Sequence, residues 1–237
     1  MQFDMADIKK KIFSKGYWKI IIRPTVFIGK RIPDLKSCID IIRDNEVRLR
    51  GWYYPFYDRQ SRPEVGDDFI EQSFCWEEYG HIEAWRYYQS GQFVHYRAVD
   101  EEWTIAMLSR SQYYVPDTKF IDFIMTIYLF TEIFEFASRL SEKGYFGESC
   151  EIVIVLEDTE DRKLVSLDRR RHLMANYAAK VKEIKYSIPL LVSDLVANPD
   201  DHALDAVKYV FERFGWLDFD KEVFRPLQKK LRDKEWD

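Results

Sequence analysis

Cysteine is scarce in this sequence. The chain of 237 residues has three cysteines, Cys38, Cys75 and Cys150, and no two of them form a CxxC pair. We therefore expect neither a disulfide framework nor a cysteine-rich zinc site, and the free thiols indicate a reducing compartment. The first 13 residues also lack the charged-then-apolar order of a secretory signal, so we expect a cytoplasmic protein.

Long apolar runs are missing as well. The most apolar segment, residues 120–140, is interrupted by Asp122, Glu132, Glu135 and Arg139, whereas a membrane span needs about 20 mostly apolar residues. Its apolar positions cover most of a helical circumference, which predicts a buried central helix and no membrane association. The candidate cap residues are Asp117 and Thr118 at the start and Gly144 at the end.

The motifs that commonly identify enzymes do not occur either. HExxH, GxSxG, GxxxxGK[ST] and GxGxxG are absent, so we expect neither a cofactor nor a metal. One weak catalytic grouping is present: His81 and His95 lie near Glu77, Glu78 and Glu83, and a helical turn would bring Glu77 and Glu78 beside His81. This grouping supports the hypothesis of a hydrolase or nuclease site near His81. The simpler interpretation is that these histidines have a structural role.

The composition is that of a folded chain with an uneven charge distribution. Hydrophobic residues make up 46% and charged residues 32%, which excludes a disordered protein, and aromatic residues reach 16%. The net charge of -5 divides into +6 for residues 1–60, -13 for residues 61–160 and +2 for residues 161–237. A uniformly basic nucleic-acid-binding surface is not expected, although a local basic face is compatible with these numbers.

The hydrophobic pattern predicts an α+β fold. It consists of a β-rich N-terminal half, a long central apolar helix, and C-terminal strands followed by helices. The predicted strands cover residues 17–23, 47–54, 69–76, 92–99, 150–156, 163–167 and 181–190. No Pro-, Gly- or Ser-rich linker separates the halves, residues 1–115 and 116–237, so we expect them to be packed as one unit.

Two short segments combine arginine with aromatic rings, RGWYYP and WRYY. Such groups stack on bases or peptide aromatics and pair with phosphates or carboxylates, whereas the simpler interpretation is that the rings fill the core. On neighbouring strands they would form one composite surface, with Trp52 and Tyr54 on the same face. The candidate binding residues are Arg50, Trp52, Tyr54, Trp85, Arg86 and Tyr88.

The densest basic stretch is residues 162–185, where Arg169, Arg170 and Arg171 are consecutive. An exposed loop of this kind binds phosphates, and Tyr177 and Tyr186 would add stacking. The same residues would otherwise pair with the acidic middle segment, within the chain or across a homo-oligomer, or remain solvated.

Several segments carry a resemblance to a known family. They are IRP at 22–24, RGWYYP at 50–55, WRYYQSGQFVH at 85–95, EIFEFA at 132–137 and FERFGW at 211–216. The chain resembles, along nearly its whole length, a family of uncharacterised bacterial proteins of similar size. This resemblance implies a bacterial, cytosolic, self-contained unit, and it implies no activity, cofactor or catalytic residue.

Three functions follow as hypotheses. The aromatic content and segregated charge favour a non-catalytic recognition or assembly protein of a bacterial cytosolic complex, whose ligand is a protein partner or a second copy of the chain. A nucleic-acid-binding protein that uses residues 162–185 is the alternative. A hydrolase or nuclease with a site near His81 is the third, because active sites are often assembled from residues distant in sequence.

Overall fold

The computed structural model describes residues 4–104, 119–168 and 170–235. Its α-helices are α1 (Met5–Ile12), α2 (Leu35–Asn45), α3 (Phe123–Glu142), α4 (Val192–Ala197), α5 (Pro199–Arg213) and α6 (Lys221–Asp233). Its strands are β1 (Tyr17–Pro24), β2 (Glu64–Val65), β3 (Phe69–Trp76), β4 (His81–Tyr88), β5 (Phe93–Ala98), β6 (Phe120–Asp122), β7 (Ser149–Glu157), β8 (Lys163–Val165), β9 (Tyr177–Ala178) and β10 (Glu183–Leu191). Two short 3₁₀ helices cover Glu77–Tyr79 and Asp100–Glu102.

Seven of the strands form one antiparallel sheet, in the order β10-β7-β1-β5-β4-β3-β2. At its centre, Ile20 of β1 is opposite His95 of β5 on one side and Ile154 of β7 on the other. The sheet therefore contains strands from both sides of the predicted boundary at 115–116, which itself lies outside the described residues. A second sheet has the order β6-β8-β9, and with the helices this arrangement confirms the α+β class.

The central helix α3 begins at Phe123, because residues 120–122 form β6 instead of a first helical turn. Asp122 caps it, since its Oδ1 accepts from the Met125 N–H at 2.8 Å. The predicted caps Asp117 and Thr118 lie outside the described residues. The helix packs against α2, α4, α5 and α6, and its aromatic residues Phe130, Phe134 and Phe136 are fully buried. Within the described ranges, no helix has the length and apolarity required to cross a membrane.

The predicted strand at residues 47–54 is wrong. Val47 and Tyr54 instead exchange two backbone hydrogen bonds of 2.8 Å, so the chain between them turns back on itself. The segment between them is therefore irregular, and the alternation expected for Trp52 and Tyr54 does not apply to it. The helical turn considered for residues 76–84 is also wrong, because only Glu77–Tyr79 is helical and β4 begins at His81.

The two faces of the large sheet have different coverings. One face forms the main core with α2, α3 and α5, while α1 covers part of the other through Met5, Ile8 and Ile12. Successive side chains of a strand point to opposite faces. In β4, this alternation directs Trp85 to the main core and Arg86 to the face that α1 partly covers.

Candidate functional site

A cleft of about 840 Å³ lies where the large sheet meets the start of α3, the loop after β8 and the helix α6. It brings together four of the predicted binding residues, Arg50, Trp52, Arg170 and Arg171. The sequence had placed these arginines in two separate candidate sites, and the fold makes them walls of a single depression.

An aromatic cluster of Trp52, Trp76 and Tyr79 lies at this cleft, and the rings of Trp52 and Tyr79 line it. The ring of Trp52 is half-buried and packs edge-on against Trp76, at 5.3 Å between centroids, and against His81, at 5.1 Å. Trp76 and Tyr79, whose rings are 4.4 Å apart, are 41% and 45% exposed. Exposed aromatic rings beside charged groups are typical of a binding surface.

Arg50 is fixed in the wall by a buried ion pair with Glu132 of α3. Its Nε lies 3.1 and 3.0 Å from the two carboxylate oxygens, and its Nη2 donates to Oε2 at 2.5 Å. The Glu132 side chain is 2% exposed and that of Arg50 is 10% exposed. Because the pair is bidentate and largely desolvated, it holds the RGWYYP segment against the middle of α3.

A network of buried polar side chains lies behind the aromatic cluster. His81 and Glu83 are two residues apart in β4 and therefore share the core face, where Arg97 of β5 is opposite Glu83. Glu83 Oε2 lies 2.7 Å from His81 Nε2 and accepts from Arg97 Nη1 at 3.3 Å, and Glu83 Oε1 accepts from the Phe56 N–H at 2.6 Å. The Glu83 carboxylate thus anchors two strands and Phe56, the residue that follows the RGWYYP segment.

The charge state of this network follows from its surroundings. Burial alone would raise the pKa of Glu83, but the interactions with His95 and His81 hold that pKa well below its usual range. Burial lowers the pKa of His95, while the charge of Glu83 opposes this shift, and His95 Nδ1 lies 3.2 Å from the Tyr54 hydroxyl. An ionised Glu83 only accepts hydrogen bonds, which assigns the proton of His81 to Nε2.

Carboxyl groups concentrate in one corner of the cleft. Asp100 accepts from Arg97 through Oδ2 at 2.7 Å, and Glu101 Oε1 accepts from the Asp122 N–H at 2.8 Å. Burial, together with the charge of Asp100, raises the pKa of Glu101 to about 7, and burial raises the pKa of Asp122. We refer to Asp100, Glu101 and Asp122 as the acidic corner.

The acidic corner was not among the candidate residues from sequence. In the sequence, its only signal is the run Asp100-Glu101-Glu102, which directly follows a predicted strand. A run of this kind is exposed at a sheet edge in most folds, so it does not by itself indicate a site. The approach of α3 to that edge, which adds Asp122, depends on contacts between residues distant in sequence.

The catalytic grouping near His81 keeps three of its predicted members, because Glu83 contacts His81 and its Oε1 lies 3.6 Å from His95 Nε2. His81 is bonded to Glu83, whereas Glu77 forms an ion pair with Lys11 on α1. The reason is that residues 81 and 83 share one face of a strand, while Glu77 and Glu78 belong to the preceding 3₁₀ turn. Within residues 4–104, 119–168 and 170–235, no group of three or more His, Cys, Asp or Glu side chains is arranged to hold a metal ion.

The second aromatic segment does not join the cleft. Trp85 is 2% exposed and its Nε1 donates to the Phe56 carbonyl at 2.8 Å, so it belongs to the core, as does Tyr54 at 1%. Arg86 lies on the opposite face of the sheet, where it pairs with Glu71 at 2.7 Å and contacts Tyr88. The expected composite surface is therefore not formed, because one segment is irregular and the other alternates across a sheet.

The basic stretch 162–185 does not form one face either. Arg162 is completely buried and donates to the Phe120 carbonyl at 3.2 Å. Tyr186 is 8% exposed, and Tyr177 is stacked on Trp216 at 5.3 Å. Arg169 lies outside the described residues, while Arg170 and Arg171 reach the cleft and pair with Asp168 at 3.2 and 3.6 Å.

Comparison with known proteins adds no functional assignment. The chain matches no protein-family model, no curated protein and no solved structure. The chemistry of the cleft is therefore the basis for a functional proposal.

Proposed function

We propose that this chain is a non-catalytic recognition protein that binds a segment of a partner protein in the cleft. The observation that supports this function is the mixture of groups in the cleft wall. Five arginine or lysine side chains and six aspartate or glutamate side chains line it, together with the rings of Trp52, Tyr53, Tyr79 and Tyr128. Polypeptide segments present aromatic, cationic and anionic groups together, and a wall of this kind complements them.

The charge balance favours a polypeptide over a nucleic acid. Affinity for nucleic acid comes from cations that release counterions from the phosphates. In the cleft, however, Arg50 is paired with Glu132, Arg97 with Glu83 and Asp100, and both Arg170 and Arg171 with Asp168. A phosphate chain would have to compete with these carboxylates, and the acidic corner would repel it.

Trp52 is the expected anchor of the interaction. Its ring is half-buried between Trp76 and His81, so one part is held in place and another part faces the cleft. Tryptophan residues in such partly enclosed positions contribute a large share of binding energy at protein interfaces. The buried Glu83 network behind the ring restricts its movement and lowers the entropy lost on binding.

The proposal is tested by panning the full chain against a displayed library of short peptides. Selected peptides are then synthesised, and their binding is measured by fluorescence anisotropy with the parent, Trp52→Ala and Phe27→Ala. Phe27 is 81% exposed and lies outside the cleft, so it is the matched aromatic control. We expect Trp52→Ala to weaken binding about tenfold or more, and Phe27→Ala to leave it unchanged, at equal melting temperatures.

Oligonucleotides provide the opposing arm of the same experiment. Single-stranded and duplex DNA and RNA are titrated at low and at physiological salt, with Arg170→Glu as the variant. Binding that falls steeply with salt and is reduced by Arg170→Glu would overturn the proposal in favour of a nucleic-acid interface. Peptides that bind parent and Trp52→Ala equally would overturn the assignment of this cleft.

A further inference from the structure

Four side chains form a hydrogen-bonded chain along one wall of the cleft. His81 bonds to Glu83 at 2.7 Å, Glu83 accepts from Arg97 at 3.3 Å, and Arg97 donates to Asp100 at 2.7 Å. His81 and Asp100, the two ends, both line the cleft. Each end keeps a buried polar atom, His81 Nδ1 and Asp100 Oδ1, that has no hydrogen-bond partner in the part of the chain that the structure describes.

Both of these atoms are hydrogen-bond acceptors. The ionised Glu83 accepts a hydrogen bond from His81 Nε2, and in the tautomer that carries its hydrogen on Nε2 the Nδ1 atom has a lone pair and no hydrogen. Oδ1 of Asp100 is a carboxylate oxygen whose partner oxygen is already bonded to Arg97. Burying a polar atom without a hydrogen-bond partner costs free energy. These two atoms therefore indicate that a ligand supplies the hydrogen-bond donor. His81 is 3% exposed, which makes that cost substantial at its end of the chain.

The two ends approach each other in the fold. Gly80, which precedes His81, has a φ of +68°, and a Cβ placed on it would lie 2.6 Å from the backbone oxygen of Asp100. The backbones of the two segments are therefore in contact, and only glycine fits there. Both acceptors line the same cleft, so a ligand with several N–H donors can serve more than one of them.

The surroundings select a positively charged donor. Glu101 and Asp122 add two carboxyl groups to this corner, and the rings of Trp52 and Tyr79 line the same cleft. Burial and the charge of Asp100 raise the pKa of Glu101 to about 7, so a cation placed beside Glu101 would favour its ionised form. Carboxylates together with aromatic rings are the groups that bind guanidinium and ammonium ions.

We propose that the acidic corner, with His81 Nδ1, binds a guanidinium or ammonium side chain of the partner segment. This inference rests on the proposed function, because it names the residue type that the cleft recognises. Guanidinium suits the corner best, since it offers five N–H donors in a fixed plane and pairs with carboxylates through two of them at once. The recognised segment therefore contains an arginine, or a lysine, next to the residue that contacts Trp52.

The test uses the peptides selected against the full chain. We expect a shared arginine or lysine, and replacement of that arginine by citrulline, its neutral isostere, should weaken binding about tenfold or more. Asp100→Asn should weaken binding of the arginine peptide about tenfold and binding of the citrulline peptide much less. The matched control is Asp161→Asn, a change of the same chemistry at an exposed aspartate outside the cleft, and it should change neither affinity.

A measurement on the unmodified chain covers the case in which Asp100→Asn fails to fold. Carbon-13 NMR titration of Glu101 should show its pKa falling from about 7 when the arginine peptide binds, and not when the citrulline peptide binds. Two results would overturn this inference and leave the proposed function standing. One is that peptides whose binding depends on Trp52 have no arginine or lysine in common, and the other is that the arginine and citrulline peptides bind with equal affinity. Failure of the proposed function itself is recognised separately, by peptides that do not depend on Trp52.

Discussion

The segments RGWYY and WRYY both combine arginine with tryptophan and tyrosine, but the fold places their side chains in different environments. In β4 the backbone is regular, so Trp85 enters the core while its neighbour Arg86 points to the other face, 3.8 Å above the ring of Phe69. In the irregular segment 48–53, Arg50 reaches α3 and Trp52 reaches the cleft. The comparison teaches that an arginine–aromatic cluster in a sequence does not define a surface until the backbone that carries it is known.

The two arginines also differ in the surroundings of their ion pairs. Arg50 and Glu132 are largely removed from water, whereas Arg86 is paired with Glu71 at a position where 29% of its side chain remains exposed. Breaking a desolvated pair leaves an uncompensated buried charge, while an exposed pair is screened by solvent and salt. The first pair therefore supports the fold, and the second makes little difference to it.

The largest effect is expected at Trp85. Trp85→Ala removes a buried ring and its hydrogen bond to Phe56, so it should lower the free energy of unfolding by about 3 to 5 kcal/mol. Urea denaturation followed by circular dichroism measures this change. A loss below about 1 kcal/mol would show that the ring is not part of the core.

The second-largest effect is expected at the ion pair between Arg50 and Glu132. Arg50→Ala leaves Glu132 buried without its partner and should cost about 3 kcal/mol in unfolding free energy. The double variant Arg50→Met with Glu132→Leu removes both charges and should recover most of that loss. A complete double-mutant cycle by denaturation checks this, and additive losses would contradict a coupled buried pair.

The acidic corner should make stability depend on pH. The pKa of Glu101 is raised to about 7 in the folded chain from an ordinary value of 4.5, so between these values the folded state binds a proton that the unfolded state has lost. Stability should therefore fall as the pH rises through this window, by about 2 kcal/mol, allowing for the partial exposure of the side chain. We expect Glu101→Gln to flatten the profile between pH 4.5 and 7 relative to the parent. An unchanged slope in that variant would contradict the assignment.

The smallest effect is expected at Arg86. Arg86→Ala removes an ion pair and a cation–π contact that remain in contact with solvent, so it should cost about 1 kcal/mol or less. The loss should shrink in high salt, which the same denaturation experiment shows when sodium chloride is added. A loss as large as that of Arg50→Ala would remove the distinction between the two segments.

The regular parts of this fold are the parts that the sequence predicts. β3 covers residues 69–76 as its β-branched and aromatic residues predict, and the apolar pattern locates α3 to within three residues at its start. These elements depend on local periodicity. The cleft does not, because its walls come from β4, β5, α3, α6 and two irregular segments.

The errors at the site have physical causes. Residues 47–54 have the composition of a strand, but Val47 and Tyr54 bond to each other, and tertiary contacts of Arg50 and Trp52 stabilise the irregular path between them. A helical period predicts Glu77 and Glu78 beside His81, but His81 begins a strand, in which Glu83, two positions away, is the neighbour.

The position of β1 in the middle of the large sheet has a consequence for synthesis. Ile20 pairs with Ile154, so one edge of β1 has no partner until β7 has left the ribosome. At about 5 to 20 residues per second, this delay is roughly 10 s, and an unpaired strand edge is a template for aggregation. A nascent chain that stalls before Ser149 therefore keeps an adhesive edge, so the yield of this protein in the cell should depend on how quickly the ribosome reaches its second half.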